Sequence, residues 1–354
     1  MMETARKYVG FDVHKATIAG SVRDEGGRVR QRQLLETKAE AVIAFLRGVG
    51  PGIWLTFEEG TQAHWLYEVA SPYVDRIVVA NVRGRDTKSS KSDRFDADEL
   101  SDLLRVGRLQ GVYHGTSSQR HLKELVRNYG WLVTDTVRIK LRIQAAYRSR
   151  AILTDRSIYG EARRQEWLDR VDQPALRMRL EALYTVLEVL IPQRKQAKQA
   201  MVQEARLHRA WKVLCQIKFL GPVRISQILG IVGTPARFRT KRPFWAYVGL
   251  AVVTRDTAQH EVFQGQIRRR KRPALTRGLN RNHNRVLKAV FKGAANDAAS
   301  RPGPFLEFYQ SMLERGMKPE MAKLTLARKI AALSLRLWKT GENFDPTKLS
   351  PKSS

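Results

Sequence analysis

Cysteine, acid and long apolar runs are what this sequence of 354 residues has little of. A single cysteine, Cys215, excludes an internal disulfide and any cysteine-rich zinc site. Its neighbours Val213, Leu214 and Ile217 read as core, so the thiol is expected to be buried and structural rather than nucleophilic. No stretch has the length and apolarity of a membrane span, and no signal pattern opens the chain. Acid is scarce: 34 Asp and Glu stand against 64 Lys and Arg, a formal charge of +30. A field of that sign and size attracts polyanions, and nucleic acid is the partner best able to neutralise it. The cations run through segments with apolar periodicity, unlike a lone polybasic tail, so no membrane partner is expected. The length suffices for two or three domains with ample core.

Against this basic background one stretch concentrates acid: Lys91-Ser92-Asp93-Arg94-Phe95-Asp96-Ala97-Asp98-Glu99. Helical spacing puts Asp93 and Asp96 on one face, where they could grip one ion together. The same residues also suit a helix start, with Ser92 or Asp93 as N-cap and first-turn acids favoured by the helix dipole.

The residues ahead of that stretch bear on the choice. Tyr8 to Val13, Ala16 to Val22 and Val29 to Leu35 read as three strands, the last two joined by the turn Glu25-Gly26-Gly27. An amphipathic helix through Ala39, Val42, Ile43, Phe45 and Leu46 closes at Gly48, Gly50 and Pro51. Ile53 to Phe57 is a fourth strand, Ala63 to Val69 a helix, and Arg76 to Ala80 a fifth strand; a polar loop, Arg83 to Lys91, follows. Hairpins first and strand-helix alternation afterwards predict a mixed α/β sheet. Ligands gather at strand ends in such sheets, and Asp12 and Glu58 or Glu59 sit there. Four carboxylates converging on one sheet edge repel unless cations neutralise them, and two Mg²⁺ ions acting on a phosphodiester would do so.

Gly10-Phe11-Asp12-Val13-His14-Lys15, Glu58 ahead of Ala63-His64-Trp65, and Lys91 to Ala97 together resemble the DEDD transposases of bacterial insertion sequences. These are mobile-element recombinases with a RuvC-like, RNase H-fold N-terminal domain, guided in studied members by a bridge RNA. The resemblance implies that Asp12, Glu58, Asp93 and Asp96 form a Mg²⁺-binding tetrad. Glu59 competes with Glu58, and the position of Ala63-His64-Trp65 favours Glu58. Asp98 and Glu99 have no role in the pattern and read as first-turn helix acids. The implied partners are DNA, a bridge RNA and further copies of the chain as a dimer or tetramer; the implied location is the bacterial cytoplasm, on the nucleoid.

Further along, Leu122, Leu125, Tyr129, Leu132, Thr136, Ile139, Ile143 and Ala146 form a heptad seam, repeated by Leu176, Leu180, Leu183, Leu187 and Leu190. Pro192 is expected to kink or end the second helix. Periodicity allows either a hairpin packed on itself or an intermolecular coiled coil. The resemblance, in which a coiled-coil region supports oligomers, favours the second.

Ile217 to Ile225, with Gly221-Pro222 at its centre, has the outline of a helix-hairpin-helix turn aimed at phosphate. Phe219 stands where members of the family often carry glycine. Phe244 to Gly249 reads as a short helix with a glycine stop, leading to Ala251 to Thr257. In the family this segment ends in a nucleophilic serine eight residues after the glycine of the Gly-Leu pair. Thr257 occupies that position here, so the resemblance implies either Thr257 as nucleophile, a substitute hydroxyl such as Thr254 or Thr276, or an impaired copy. Arg268, Arg269, Arg270, Lys271 and Arg272, with Arg277, Arg281, Arg285, Lys288 and Lys292 after them, are the most basic part of the chain. Phosphate contacts compensate such a run, and Asn280, Asn282, His283 and Asn284 add groups able to meet base edges. Helices 304–313 and 321–338 close the sequence before a tail.

The expected architecture is therefore α/β + α. An RNase H-like (RuvC-like) mixed-sheet DEDD domain spans 1–115, a helical coiled-coil middle 116–210, a mostly α C-terminal transposase domain 211–345, and a tail 346–354. The expected activity is Mg²⁺-dependent, RNA-guided DNA cleavage and rejoining through a covalent hydroxyl–phosphate intermediate. The alternatives are a RuvC-like structure-selective endonuclease with no covalent step, or a nucleic-acid-binding copy whose catalysis has decayed.

Overall fold

The computed structural model describes residues 5–81, 93–114, 117–255, 260–269 and 275–349. The chain divides into two units, residues 1–114 and 115–354. No helix among the described residues is long and apolar enough to cross a membrane.

In the first unit β1 (Lys7–Val13), β2 (Thr17–Arg23) and β3 (Val29–Glu36) form an antiparallel meander. Helix α1 (Ala39–Val49) leads to β4 (Ile53–Glu58), and α2 (Ala63–Ala70) leads to β5 (Arg76–Ala80). β4 lies parallel to β1 and β5 parallel to β4, giving the order β3-β2-β1-β4-β5. An antiparallel meander continued by parallel strands through helical crossovers is the RNase H-like arrangement expected from the sequence. Period-two alternation decides the faces. Val9, Phe11, Ile18, Leu55 and Phe57 point to one side, where Val42, Phe45 and Leu46 of α1 and Leu66 of α2 complete a core. Helix α3 (Asp93–Arg105) packs against β1, β2 and β4. It covers the opposite face, as its contact with Gly10 establishes below.

The second unit begins with two long helices, α4 (Ser117–Arg148) and α6 (Pro174–Arg206), with short α5 (Arg164–Leu168) between them. They pack as an antiparallel hairpin. Ile139, Ile143 and Tyr147 near the end of α4 share a core with Leu176, Leu180 and Tyr184 near the start of α6. At the other end Leu122 and Val126 of α4 meet Met201 and Ala205 of α6 in the main core. The heptad seam is thus closed within one chain, and the intermolecular coiled coil expected from the sequence finds those positions already occupied. Pro192 does not end its helix: α6 runs through it to Arg206. Pro192 is exposed, so water can serve the backbone carbonyl that loses its intrahelical bond.

The remaining helices are α7 (Trp211–Cys215), α8 (Pro222–Val232), α9 (Lys241–Tyr247), α10 (Arg285–Ala298), α11 (Pro304–Glu314) and α12 (Pro319–Thr340). They enclose one core, built largely from Ile228, Leu229, Phe244, Leu287, Phe291, Leu326 and Ile330. Between α9 and α10 the chain forms four short strands that the sequence reading did not anticipate. β6 (Val252–Arg255) pairs with β9 (Leu275–Leu279), and β7 (His260–Phe263) with β8 (Gln266–Arg269), both antiparallel. Pro346–Leu349, expected in the tail, is a 3-10 turn whose Leu349 is buried in the core.

Candidate functional site

Strand register brings two of the expected acids together. β1 and β4 pair Phe11 with Phe57, both buried on the α1/α2 side. Asp12 and Glu58 are the next residues on their strands, so alternation turns both to the other face. Each lines one small cleft with Val13, Glu59, Gly60, Thr61, Gln62 and Ala63. The Asp12 side chain is only 17% exposed and its Oδ2 lies 3.1 Å from Nε2 of His14. Glu59, in the same cleft, has partners of its own. Its N–H donates to the Ala80 carbonyl at 2.9 Å, and its carboxylate pairs with Nε2 of His114 at 2.9 Å.

The seat of α3 sets the direction in which its first turn lies. A Cβ on Gly10 would stand 2.3 Å from the Ala97 carbonyl oxygen and 2.7 Å from the Ser101 nitrogen. Only a glycine lets the helix backbone lie this close to β1. Glycine inside a strand is a known mark of such an approach, and this is the functional residue that sequence reading passed over. Direction follows from the side chains. Arg23, opposite Tyr8 at the far end of β1, reaches the Ser101 hydroxyl at 3.3 Å and the Asp98 carbonyl at 3.1 Å. The C-terminal half of α3 therefore lies at the start of β1. Its first turn, containing Asp93 and Asp96, lies toward the end that carries Asp12 and Glu58. Asp96 is half-buried, whereas the Asp93 side chain is outside the described residues. Among the described residues no group of three or more His, Cys, Asp or Glu is placed to hold a metal ion.

Asp98 is more than a first-turn acid. It accepts from the Ser21 hydroxyl at 2.6 Å and from Arg32 at 2.7 and 3.0 Å, tying α3 to β2 and β3. Burial raises its pKa, but Arg32, Ser21 and Arg23 outweigh that and hold it below the ordinary carboxylate value.

The second unit carries the basic region on the ribbon and at its root. Arg268 is exposed on β8, which Arg269 ends; Arg270, Lys271 and Arg272 lie outside the described residues, as does the Arg277 side chain. Arg281 and Arg285 are exposed and Lys288 half-buried, at and just before the start of α10. Cations at a helix N-terminus oppose the helix dipole, a cost that a bound phosphate offsets.

The amide cluster beside them serves the fold. Asn280 donates its side-chain NH₂ to the carbonyls of Ala246 and Asn282 at 3.1 and 2.8 Å. The Asn284 side chain caps α10, accepting from the Leu287 N–H at 3.0 Å. His283 lies against Gly249, whose φ of +71° and lack of a side chain are both required: a Cβ there would be 2.5 Å from the imidazole. Arg328 of α12 donates to the Leu250 carbonyl at 2.6 Å. These contacts clamp the root of the ribbon. Thr257 and Asp256 are outside the described residues; the alternative hydroxyl positions Thr254 and Thr276 are register partners in β6 and β9.

Comparison with known proteins matches these two regions separately. Residues 9–149 match the model of the IS110-type DEDD transposases, described as "Transposase", and residues 211–281 match "Transposase IS116/IS110/IS902 family". The chain belongs to the IS110 family of DEDD transposases. Over 309 residues, covering 86% of this chain and 77% of the relative, it is 23% identical to a protein of Sinorhizobium fredii (strain NBRC 101917 / NGR234) named "Putative transposase y4pF/y4sB". Asp12, Glu58, Asp93 and Asp96 all fall within the first match, and Gly249 and Thr257 within the second. Membership makes this transposase a DNA-cleaving and DNA-transferring enzyme with DNA as its partner.

Two other expectations for this transposase change with the structure. The helix before the Gly221-Pro222 turn is α7, only five residues long, and the turn is fastened by Arg224, which bonds the Phe219 carbonyl at 2.8 Å and Asp297 at 2.7 Å. Phe219 itself packs edge-on against Phe305. Cys215 is exposed, not buried as its apolar neighbours suggested, because Val213 and Leu214 take the inward positions. Partial burial nevertheless raises its pKa, which favours the protonated thiol over the thiolate.

Proposed function

We propose that this transposase cuts and rejoins DNA strands at a Mg²⁺-dependent centre formed by Asp12, Glu58, Asp93 and Asp96, with Thr257 as the attacking hydroxyl and a bridge RNA choosing the target. The observation that carries the proposal is the shared face of Asp12 and Glu58 on adjacent parallel strands, with α3 seated on Gly10 of that face. Glu58 rather than Glu59 is assigned to the centre because alternation places it on the face of Asp12. The donors suit a hard divalent cation: all four are carboxylates, and oxygen ligands are what Mg²⁺ selects. Bound there, Mg²⁺ would supply positive charge to the oxygens of the reacting phosphodiester.

The protein's own groups do the rest. The His14 imidazole flanks the Asp12 carboxylate, its Nε2 3.1 Å from Oδ2. The Thr257 hydroxyl oxygen bonds to phosphorus as the bond to the leaving DNA oxygen breaks; the threonine proton passes to a base, and the leaving oxygen acquires one. The phosphoester to the protein conserves the bond energy, and the reverse attack by a DNA hydroxyl rejoins the strand. The threonine methyl crowds in-line attack, so a slower reaction than that of a serine is expected. The +30 charge supports contact with RNA as well as DNA, in the cytoplasm on the bacterial nucleoid. Homo-oligomers would use the outer surface of the helical hairpin, where Trp131, Leu141 and Val189 are exposed.

The test is Asp93→Asn. Mg²⁺-dependent cleavage of duplex DNA is expected to fall by about 10²-fold or more, with DNA binding retained, because a ligand acting on the transition state is lost. Unchanged cleavage would remove these acids from the mechanism. Binding with no cleavage in the unaltered protein would mark a decayed copy.

A further inference from the structure

The β7–β8 hairpin carries a feature that neither strand cleavage nor phosphate binding uses. β7 and β8 are joined by Gln264 and Gly265, whose φ values of 51° and 76° are both positive, the geometry of a tight type I′ hairpin. One step back from the turn, Val262 and Ile267 are register partners, so their side chains stand together on one face. They are 73% and 75% exposed. No described residue of β7 or β8 belongs to a hydrophobic core, so the pair is not the edge of one. Single exposed aliphatic residues are ordinary. Two branched ones paired one step from a hairpin turn, directly before Arg268, are not explained by packing.

We propose that this hairpin enters a groove of duplex DNA and that Val262 and Ile267 wedge into a base step and open it. Three observations favour DNA as the occupant. Arg268, exposed on β8 next to the pair, complements a phosphate backbone. A two-stranded ribbon fits a groove of B-form DNA, whereas the deep, narrow major groove of A-form RNA does not admit side chains to the bases. Apolar wedges flanked by Arg and Lys are the means by which groove-binding proteins unstack and kink a duplex. The wedge also has a defined place relative to the chemistry, a point that rests on Thr257 being the nucleophile. Positions 257 and 262 are five residues apart, and that length of chain spans at most about 17 Å, the rise of about five base pairs. The opened step therefore lies within about five base pairs of the attacked phosphate.

The test uses the full chain and a short DNA duplex carrying 2-aminopurine at a central TpA step, with EDTA present so that no strand is cut. Because it needs no chemistry, it reports on the wedge even if the nucleophile has been misassigned. The unaltered protein is expected to raise the fluorescence as the probe unstacks. The double variant Val262→Ser, Ile267→Ser is expected to bring the fluorescence back to that of the free duplex while binding within about threefold, since phosphate contacts dominate affinity. Both residues are exposed, so the melting temperature stays unchanged. Arg268→Ala should instead weaken binding and reduce its salt slope by about one. The proposal fails if the double variant unstacks the probe as the unaltered protein does. It fails equally if the variant's response is lost on an RNA duplex and not on DNA. It also fails if the substitutions dissociate oligomers and leave the DNA response intact, which would make the pair a contact between copies.

Discussion

Replacing Gly10 by alanine adds a single methyl group where the structure has no room for one. The new Cβ would sit 2.3 Å from the Ala97 carbonyl oxygen, and ordinary contact begins near 3.4 Å. Both the obstructing atoms belong to backbone, so no side chain can rotate away, and α3 has to move off β1 by about 1 Å. Overpacking of this kind costs about 1–3 kcal/mol. It should appear as amide exchange in Leu100–Arg105 faster by about five- to 150-fold, provided α3 opens as a local unit. In the proposed centre the same shift would carry Asp93 and Asp96 away from Asp12 and Glu58, and a misplacement near 1 Å typically costs about 10²-fold in rate. Mass-spectrometric hydrogen exchange and a Mg²⁺-dependent cleavage assay on one preparation measure both. Exchange and cleavage at the level of the unaltered protein would refute the seating of α3 on Gly10, and with it the route by which the helix acids reach the strand ends.

Two further outcomes are expected. Gly249→Ala places a Cβ 2.5 Å from the His283 ring at a φ of +71°, and should destabilise the second unit by about 2 kcal/mol; adding His283→Ala should recover part of that loss in a urea titration, and no recovery would rule out the steric cause. Asp98→Asn should cost about 1–2 kcal/mol, discounted for the exposure of Arg32. Because the Asp98 pKa is lowered on folding, its contribution is present above about pH 4 and disappears as pH falls through the folded value, so the variant should lose less stability than the parent on acidification; parallel pH profiles would contradict the pairing with Ser21 and Arg32.

The sheet was legible because its signals are local. Val9 and Phe11, and Leu55 and Phe57, alternate as strands do, and Gly26-Gly27 and Gly50-Pro51 punctuate them. The acids at strand ends followed from that pattern. What escaped depended on distant partners. Asp98 looked like a helix-dipole residue because Ser21 and Arg32 lie 77 and 66 positions away. The ribbon escaped because cations mask strand alternation between Ile267 and Arg272, and because Gln264-Gly265 lacks the Asn-Gly or Asp-Gly signature of its turn. Asn280 and Asn284 looked like base-reading groups, and only the tertiary fold spends them on the Ala246 carbonyl and the α10 cap. The heptads identified the helices correctly but could not say whether the partner helix was in the same chain.

The account turns on a hydroxyl attached to DNA. Incubating the transposase with Mg²⁺ and a nicked duplex that loses its short leaving strand would trap a covalent intermediate, and peptide mapping would locate it. The predicted result is an adduct on Thr257, absent in Thr257→Ala and in EDTA. Cleaved DNA with hydrolysed ends and no protein attached would contradict it, and would make the carboxylate centre that of a nuclease.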